Sequence, residues 1–567
     1  MKKNIVAAVL TTITLMTLTN SSFAQTGGNG VPKAIEPGAV NKKIEAGVKE
    51  EIKETKEAAK KVGEEKNKVE NNVETSQKID ATVEKSGFVL NKIEFEGNTI
   101  YSDEELNKLV AEKVGSFVGL DELKNIMHTV SNRYEEAGYV TSFAYLPAQR
   151  IQGGVLKLKI VESKVANIDI EGNKWTRTGF LKNNIFKANG VKEGKPFNTN
   201  NLKKALGELN ELSYLKGRII LEKAEDAESA NIKLEVKDRV PLMFNAGWDN
   251  LGRDLIGKQR AVITSGYENI TGYGDRLYVT NVLAARTYGL NTSYFLPLGP
   301  YGTEARVGYG YSDVEVGKEY RINGINGRAH DFNVGLIQPI LETKTFKLTS
   351  DVTFDMLTAA TFVNQKQTRL RYNTRAIRTG LNAIKDDSYG RWISRMEVSN
   401  GFGASNEGSP FVKFNPSLVR VQMLPYKTTG IIRVAGQLSP NKLQPVEQIQ
   451  VGGMNSVRGY EEALNFGDKG YFFTAELRKT IPKLPDFKYL KLKDRVALAA
   501  FYDQGMTAEK NVGIGYKHFL QSVGFGFRYN INRYLNANFD FGIPLGRDRT
   551  GDQKGMRFHF KITSGII

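Results

Sequence analysis

From Val240 to Ile567 the chain repeats one pattern. Segments of 10 to 14 residues alternate apolar and polar side chains, and Gly, Asn, Asp and Lys turns separate them. Period-two alternation is the signature of a strand with two unlike faces. In Met556–Ile562, Met556, Phe558, Phe560 and Ile562 share one face, while Arg557, His559 and Lys561 share the other. Leu535, Ala537, Phe539 and Phe541 likewise oppose Asn536, Asn538 and Asp540. Sixteen candidate strands fit into 329 residues, roughly 21 residues per strand with its connection. That suits tilted membrane-spanning strands of about 9–11 residues. A soluble sandwich also alternates, but its strands are usually shorter. No run of 18 or more apolar residues follows the N-terminus, which excludes a helical membrane protein. The spacing predicts a transmembrane β-barrel of about 16 antiparallel strands over residues 239–567. Tyr267, Tyr273, Tyr278, Tyr288 and Phe295 lie near strand ends, as an interfacial girdle would.

The charge is uneven along the chain. The formal net charge is +17, with +2 in residues 1–24, zero in 25–86, zero in 87–238 and +15 in the barrel region. A basic excess often signals nucleic acid. Here it is spread through alternating strands, so a cationic barrel interior is expected and a nucleic-acid partner is not. The chain contains no cysteine, which removes disulfides, thiolate nucleophiles and cysteine metal sites together. Lys2 and Lys3, the apolar stretch Ile5 to Leu18, and Ser22-Phe23-Ala24 before Gln25 read as a secretory signal over 1–24. Residues 25–86 combine a Gly/Pro-rich start with a Lys/Glu/Ala-rich segment over 41–85. Ile44, Val48 and Ile52 recur at helical spacing, as do Val62, Val69 and Val73. This predicts a charged helix, or two broken near Gly63, acting as a plug or a linker.

Next comes an internal repeat. Ile93-Glu94-Phe95-Glu96-Gly97-Asn98 matches Ile168-Asp169-Ile170-Glu171-Gly172-Asn173 at an offset of 75 residues. Each copy opens with a strand that stops at a Gly-Asn turn, Gly97-Asn98 and Gly172-Asn173. Helices are predicted over Asp103–Val114 and Leu120–Ala137, then over Thr178–Phe186 and Thr199–Leu212. Alternating strands such as Leu156–Val161 and Ile232–Val236 close the copies. The order β-α-α-β-β describes a small α+β module. It resembles the POTRA domain, with one copy over 87–163 and a second over 164–238.

Two short motifs sharpen the resemblance. Val457-Arg458-Gly459-Tyr460 lies in a strand-poor stretch of about 441–469, read as a loop entering the lumen. Phe501-Tyr502-Asp503-Gln504-Gly505 lies on a later strand, where alternation points Phe501, Asp503 and Gly505 inward. Signal, two POTRA modules, barrel and both motifs together resemble the two-partner secretion transporters of TpsB type, the haemolysin and adhesin secretion activators. The resemblance implies an outer-membrane pore with periplasmic N-terminal domains. It also implies a secreted partner recognised by the POTRA modules, a large β-helical adhesin or cytolysin, and a chain that works as a monomer among outer-membrane lipid. A helix from 41–85 would plug the pore. An Arg458–Asp503 pair would pin the loop, because a bidentate guanidinium–carboxylate contact is strong and directional. If the pair alone matters, exchanging its two charges restores function.

No catalytic site, metal site or cofactor is expected. His128, His330, His518 and His559 are dispersed, and there is no H-E-x-x-H site, nucleophile elbow or P-loop. The alternatives are an outer-membrane assembly insertase, which shares the barrel and a similar arginine–glycine loop, and a basic diffusion porin.

Overall fold

The computed structural model describes residues 69–71 and 87–566, apart from 213, 227–228, 300, 319–320, 322–323, 344, 364–367, 403–409, 482–495, 511–516, 532–534 and 547–554. The signal at 1–24 and most of the segment at 25–86 lie outside the described residues. The chain divides into two compact units, Val62–Val240 in one and Pro241–Ile567 within the other.

The second unit is a closed barrel of sixteen antiparallel strands. They are β1 Leu242–Asp249, β2 Arg260–Glu268, β3 Arg276–Ala284, β4 Thr287–Pro297, β5 Glu304–Glu315, β6 Asn326–Glu342, β7 Phe346–Val363, β8 Thr368–Asp387, β9 Gly390–Phe402, β10 Phe411–Leu424, β11 Thr428–Gln437, β12 Lys469–Thr480, β13 Val496–Ala508, β14 Lys517–Ile531, β15 Leu535–Pro544 and β16 Arg557–Ile566. Each pairs with its neighbour in sequence. β1 closes the ring on β16, with Phe244 opposite Ile566 and Trp248 opposite Ile562. Closure leaves no edge, so backbone donors and acceptors find partners without water.

Register shows where lipid lies. Across β5 to β8 one outward row reads Val307, Val334, Phe354, Ile377. The next reads Tyr309, Phe332, Met356, Arg375, and the one beyond it Tyr311, His330, Thr358, Asn373. The last reads Asp313, Arg328, Ala360, Arg371. Apolar rows thus give way to aromatic and then to charged rows over three steps, as at a bilayer interface. Not every aromatic of the expected girdle faces outward. Tyr267 and Tyr288 pair with the outward Leu277 and Leu283. Tyr278 is buried in the lumen, where its hydroxyl donates to Glu268, and Phe295 packs against it at 6.2 Å. The period-two pattern placed Tyr278 and Phe295 at strand ends, but residue parity puts both with Arg276 on the inner face.

The interior expected to be cationic carries acids as well. Lumenal cations sit against carboxylates: Arg260 on Asp249, Arg276 on Glu304, Arg395 on Asp351 and Glu397. A narrow, partly dry lumen penalises unpaired charge, so acids and bases alternate there. Part of the excess lies outside instead, on Arg371 and Arg375, which point outward and are exposed.

The first unit holds the two α+β modules. In the first, a sheet in the order Lys92–Glu96, Val155–Val161, Phe143–Tyr145 covers the helices Asp103–Val110 and Leu120–Glu136. In the second, Lys164–Glu171, Ser229–Asp238 and Leu215–Lys223 cover Thr178–Phe180, the continuing turn Leu181–Phe186, and Thr199–Glu211. The predicted elements are present in both copies. Val69–Asn71 departs from the expected helix: it is a strand, paired in parallel with Ile219–Leu221. A sheet edge offers unpaired backbone groups, and these take up extended chain regardless of its helical periodicity.

The Gly-Asn turns explain the repeat. Gly97 has φ 90° and Gly172 has φ 84°, and a Cβ at either would meet a backbone oxygen, Ile160 O at 2.5 Å or Val236 O at 2.2 Å. The asparagines brace the loops: Asn98 Nδ2 donates to Tyr101 O at 2.9 Å and Asn173 Nδ2 to Thr176 O at 2.8 Å. A carboxylate after or at the end of the last strand of each module then caps the loop. Glu162 accepts from the backbone N–H of Thr99 and Ile100 at 2.7 and 2.8 Å, and Asp238 from those of Lys174, Trp175 and Thr176 at 2.7 to 3.1 Å. Tyr134 also donates to Glu162 at 2.9 Å; burial first, and this carboxylate second, push its hydroxyl pKa up.

Gly97→Ala should therefore cost the first module about 1–3 kcal/mol. Residues 87–163 should be cut faster by protease while the barrel stays heat-modifiable. An unchanged cleavage rate would refute the steric argument.

Candidate functional site

The connection from β11 to β12, residues 438–468, carries the first motif. Its root is a two-stranded hairpin, Ile449–Val451 against Asn465–Gly467. Its tip closes on itself. Gly453 N–H donates to Val457 O at 3.0 Å, Gly452 N–H to Ser456 Oγ at 2.8 Å, and Met454 N–H to Glu462 at 2.7 Å.

Arg458 leaves this tip and enters the wall. Its Nε and Nη2 donate to the two oxygens of Asp503 at 2.7 and 2.8 Å, and its own backbone N–H donates to Asp503 at 3.0 Å. Nη1 donates to Glu476 at 2.5 Å, and the guanidinium carbon lies 3.4 Å from the centre of the Phe501 ring. Arg458 is 2 % exposed and Asp503 fully buried. Glu476 in turn accepts from Arg478 at 2.5 Å and Arg528 at 3.1 Å, and Arg528 lies 2.7 Å from Asp540. Three cations and three carboxylates from the loop, β12, β13, β14 and β15 form one neutral cluster. An isolated charge could not stay buried there; a compensated, hydrogen-bonded set can.

The remaining motif residues fit the tip to the wall. Gly459 has φ 95° and packs on β15, where a Cβ would lie 3.0 Å from Gly542 C. Its N–H donates to His559 at 3.3 Å. Tyr460 donates from its hydroxyl to Gln521 O at 3.0 Å, and Val457 is fully buried with Val451, Tyr460 and Leu520. Gly505 leaves room for the loop: a Cβ there would sit 2.5 Å from Val451 Cγ1 and 3.1 Å from Val457 Cγ2. The structure thus brings Val457, Arg458, Gly459 and Tyr460 together with Phe501, Asp503 and Gly505. Gly97, Asn98, Gly172 and Asn173 belong to the separate modules. Glu476, Arg478, Arg528 and Asp540 were not singled out from sequence. Lumen-facing parity marks each of them, but only register reveals that they converge.

A family model described as haemolysin secretion/activation protein ShlB/FhaC/HecB matches residues 228–529, more than half of the chain. The chain belongs to this family. A ShlB-type POTRA model matches 88–163, and a POTRA model described as a surface antigen variable number repeat matches 163–239. The heme/hemopexin transporter protein HuxB of Haemophilus influenzae is 23 % identical over 461 residues, 78 % of this chain and 80 % of its own. The outer membrane transporter CdiB of Dickeya dadantii is 24 % identical over 442 residues, 73 % and 76 % of the two chains. Among solved structures, CdiB from Escherichia coli superposes with a TM-score of 0.66 at 20 % identity, covering 87 % of this chain and 93 % of that one. BamA from Haemophilus ducreyi, in a structure lacking POTRA domains 1–3, reaches 0.56 at 14 % identity over 84 % and 100 %; the likeness is one of fold. Like its relatives in the secretion family, this chain is an outer-membrane transporter that exports a partner protein, and its POTRA domains are periplasmic. Those relatives are transporters, not enzymes. With the N-terminal domains periplasmic, odd-numbered strands run outward. The loop after β11 therefore begins at the outer end and folds back into the lumen.

The cluster geometry changes what a charge exchange would do. An aspartate at 458 would face Glu476 and Asp540, so the exchanged pair is not equivalent to the native one. In Arg458→Ala the tip should come loose. A cysteine placed at Met454, which is 8 % exposed in this cysteine-free chain, should then react with a hydrophilic maleimide about tenfold faster or more. Equal rates would show that other contacts hold the tip.

Proposed function

We propose that the Arg458–Asp503 contact holds the lumenal loop in the resting state of a polypeptide exporter, and that export requires the loop in this placement. The observation that carries the reading is a fully buried bidentate ion pair between the family's two motifs, inside the pore, completed by Glu476. The client is a large secreted polypeptide that arrives extended. The POTRA modules receive it by adding its backbone to a sheet edge, where main-chain hydrogen bonds ask little of the client's sequence. Support comes from the second module, whose Leu215–Lys223 edge already pairs with an extended segment of this chain. The counterpart edge of the first module, Phe143–Tyr145, lies against the helix Leu120–Glu136, where Ala144 N–H donates to Ser131 Oγ at 3.0 Å. Exposed Val89, Phe117 and Leu120 supply apolar surface on the same module. The working unit is one chain in outer-membrane lipid, without nucleic acid or cofactor.

Arg458→Ala and Asp503→Ala should each cut export of the partner about tenfold or more, at equal amounts of heat-modifiable barrel. The double exchange Arg458→Asp with Asp503→Arg should not restore it, because Glu476 repels the new acid. Normal secretion by both single variants would sink the proposal.

A further inference from the structure

The loop makes a second buried ionic contact with a different part of the wall. Glu447 lies in the short turn Pro445–Glu447, ahead of the root hairpin, and is fully buried. Its carboxylate accepts from Arg378 Nη2 at 2.8 Å and Nη1 at 3.1 Å, and lies 2.8 Å from Lys413 Nζ. Its backbone oxygen accepts from Lys413 at 3.2 Å and from Gln437 Nε2 at 2.9 Å. Arg378 on β8 also donates to Asp355 on β7 and, at 3.0 Å, to Ser399 on β9, and Lys413 stands on β10. This anchor therefore engages β7 to β11, whereas Arg458 engages β12, β13 and β15.

The two anchors hold two bodies joined by a narrow neck. Below the neck, Asp468 ties the feet of the loop, accepting from Leu443 N–H at 2.7 Å and Gln448 Nε2 at 2.9 Å. Above it, the tip carries its own hydrogen bonds, as described. The neck itself is Gly452 and Gly453, at φ 124° and 98°, facing Ala463 at φ 54°, with Ala463 N–H donating to Gly452 O at 3.1 Å. Three left-handed residues across one hydrogen bond make a place where φ and ψ can change without disturbing either body. The tip's further contacts include single hydrogen bonds from Asp254 N–H to Glu461 at 3.1 Å, from Arg253 to Ala463 O at 3.2 Å, from Thr474 Oγ1 to Ser456 O at 3.3 Å and from Arg433 to Asn455 O.

We propose that Glu447, held by Arg378 and Lys413, is a positioning residue for export: it fixes the root of the lumenal loop so that the tip swings at the neck and returns to the same seat. This rests on the export reading above. Loss of Glu447 would free the root as well, and Arg458 would then find Asp503 with lower effective concentration.

The test replaces the ionic anchor by a covalent one. A Cβ at Gly470, on β12, would lie 2.9 Å from Ile449 Cγ2 of the root hairpin, so Ile449→Cys with Gly470→Cys brings two thiols together in a chain without cysteine; because that Cβ would also meet Met506 O at 2.5 Å, export by the pair with Glu447 intact is the reference level. Export of the partner is measured in Glu447→Ala and Glu447→Gln, each with and without this pair, oxidised and reduced, at equal heat-modifiable barrel. The conservative Gln variant keeps the test interpretable if the Ala variant fails to fold. Glu447 variants should lose about tenfold or more of export. The oxidised pair should restore most of it, and reduction should remove the gain; the same pair should not rescue Arg458→Ala. Undiminished export without Glu447, or a loss the disulfide leaves unrepaired, overturns the proposal. Export by the unaltered chain, measured alongside, tests the transport reading separately.

Discussion

A sheet in lipid has to close. With no water to satisfy an edge, β1 must find β16, and the pairing of Phe244 with Ile566 completes a ring in which every strand has two neighbours. Most of the remaining chemistry follows from that ring. One face of each strand meets lipid and must be apolar; the other encloses a lumen where polar groups collect at short range. Once charges face each other across so small a space, they are stable only in compensated sets. The six-membered cluster around Arg458 and the set around Arg378 are two solutions to the same constraint.

These clusters give the loop its purchase on the barrel. A loop that merely filled the lumen would hold by apolar contact and slide. Here it inserts a cation into one wall and an anion into another, and each completes a site that would otherwise carry unbalanced charge. Directional hydrogen bonding then fixes position to within a side chain. The glycines at 459 and 505 matter for the same reason: they let two backbones approach closely enough for the charges to meet.

Much of the fold was legible because each part announces itself locally. Period-two alternation gave the strands, and the Gly-Asn repeat gave the modules, since a left-handed turn under a carbonyl tolerates little but glycine. Arg458 and Asp503 were legible as family motifs, and the inward parity of Asp503 followed from Val496, Leu498 and Ala500. What escaped was convergence. Glu476, Arg528 and Asp540 lie on separate strands, and no spacing in the sequence says that register brings them to one point. Glu447 carried no motif at all. Tyr278 and Phe295 misled because an aromatic near a strand end looks the same from either face. Val69 misled because helical spacing says nothing about a sheet edge waiting elsewhere in the chain.

The strands β6, β7 and β8 run to 17, 18 and 20 residues, well beyond the 9–11 or so that cross the hydrocarbon. Beyond the row of Tyr309, Phe332, Met356 and Arg375 the outer face of the sheet stands clear of lipid at the cell surface, while the inner face still packs on the lumenal loop, with Ala329, Leu357 and Ala359 buried in one cluster with Val446, Ala463 and Phe466. There only the outer face is released from the alternation that disciplines the rest of the barrel, because polarity on it costs nothing. That collar is free ground for evolution. Antibodies and phage would read it first, and the family's members should differ from one another there before they differ anywhere in the wall below.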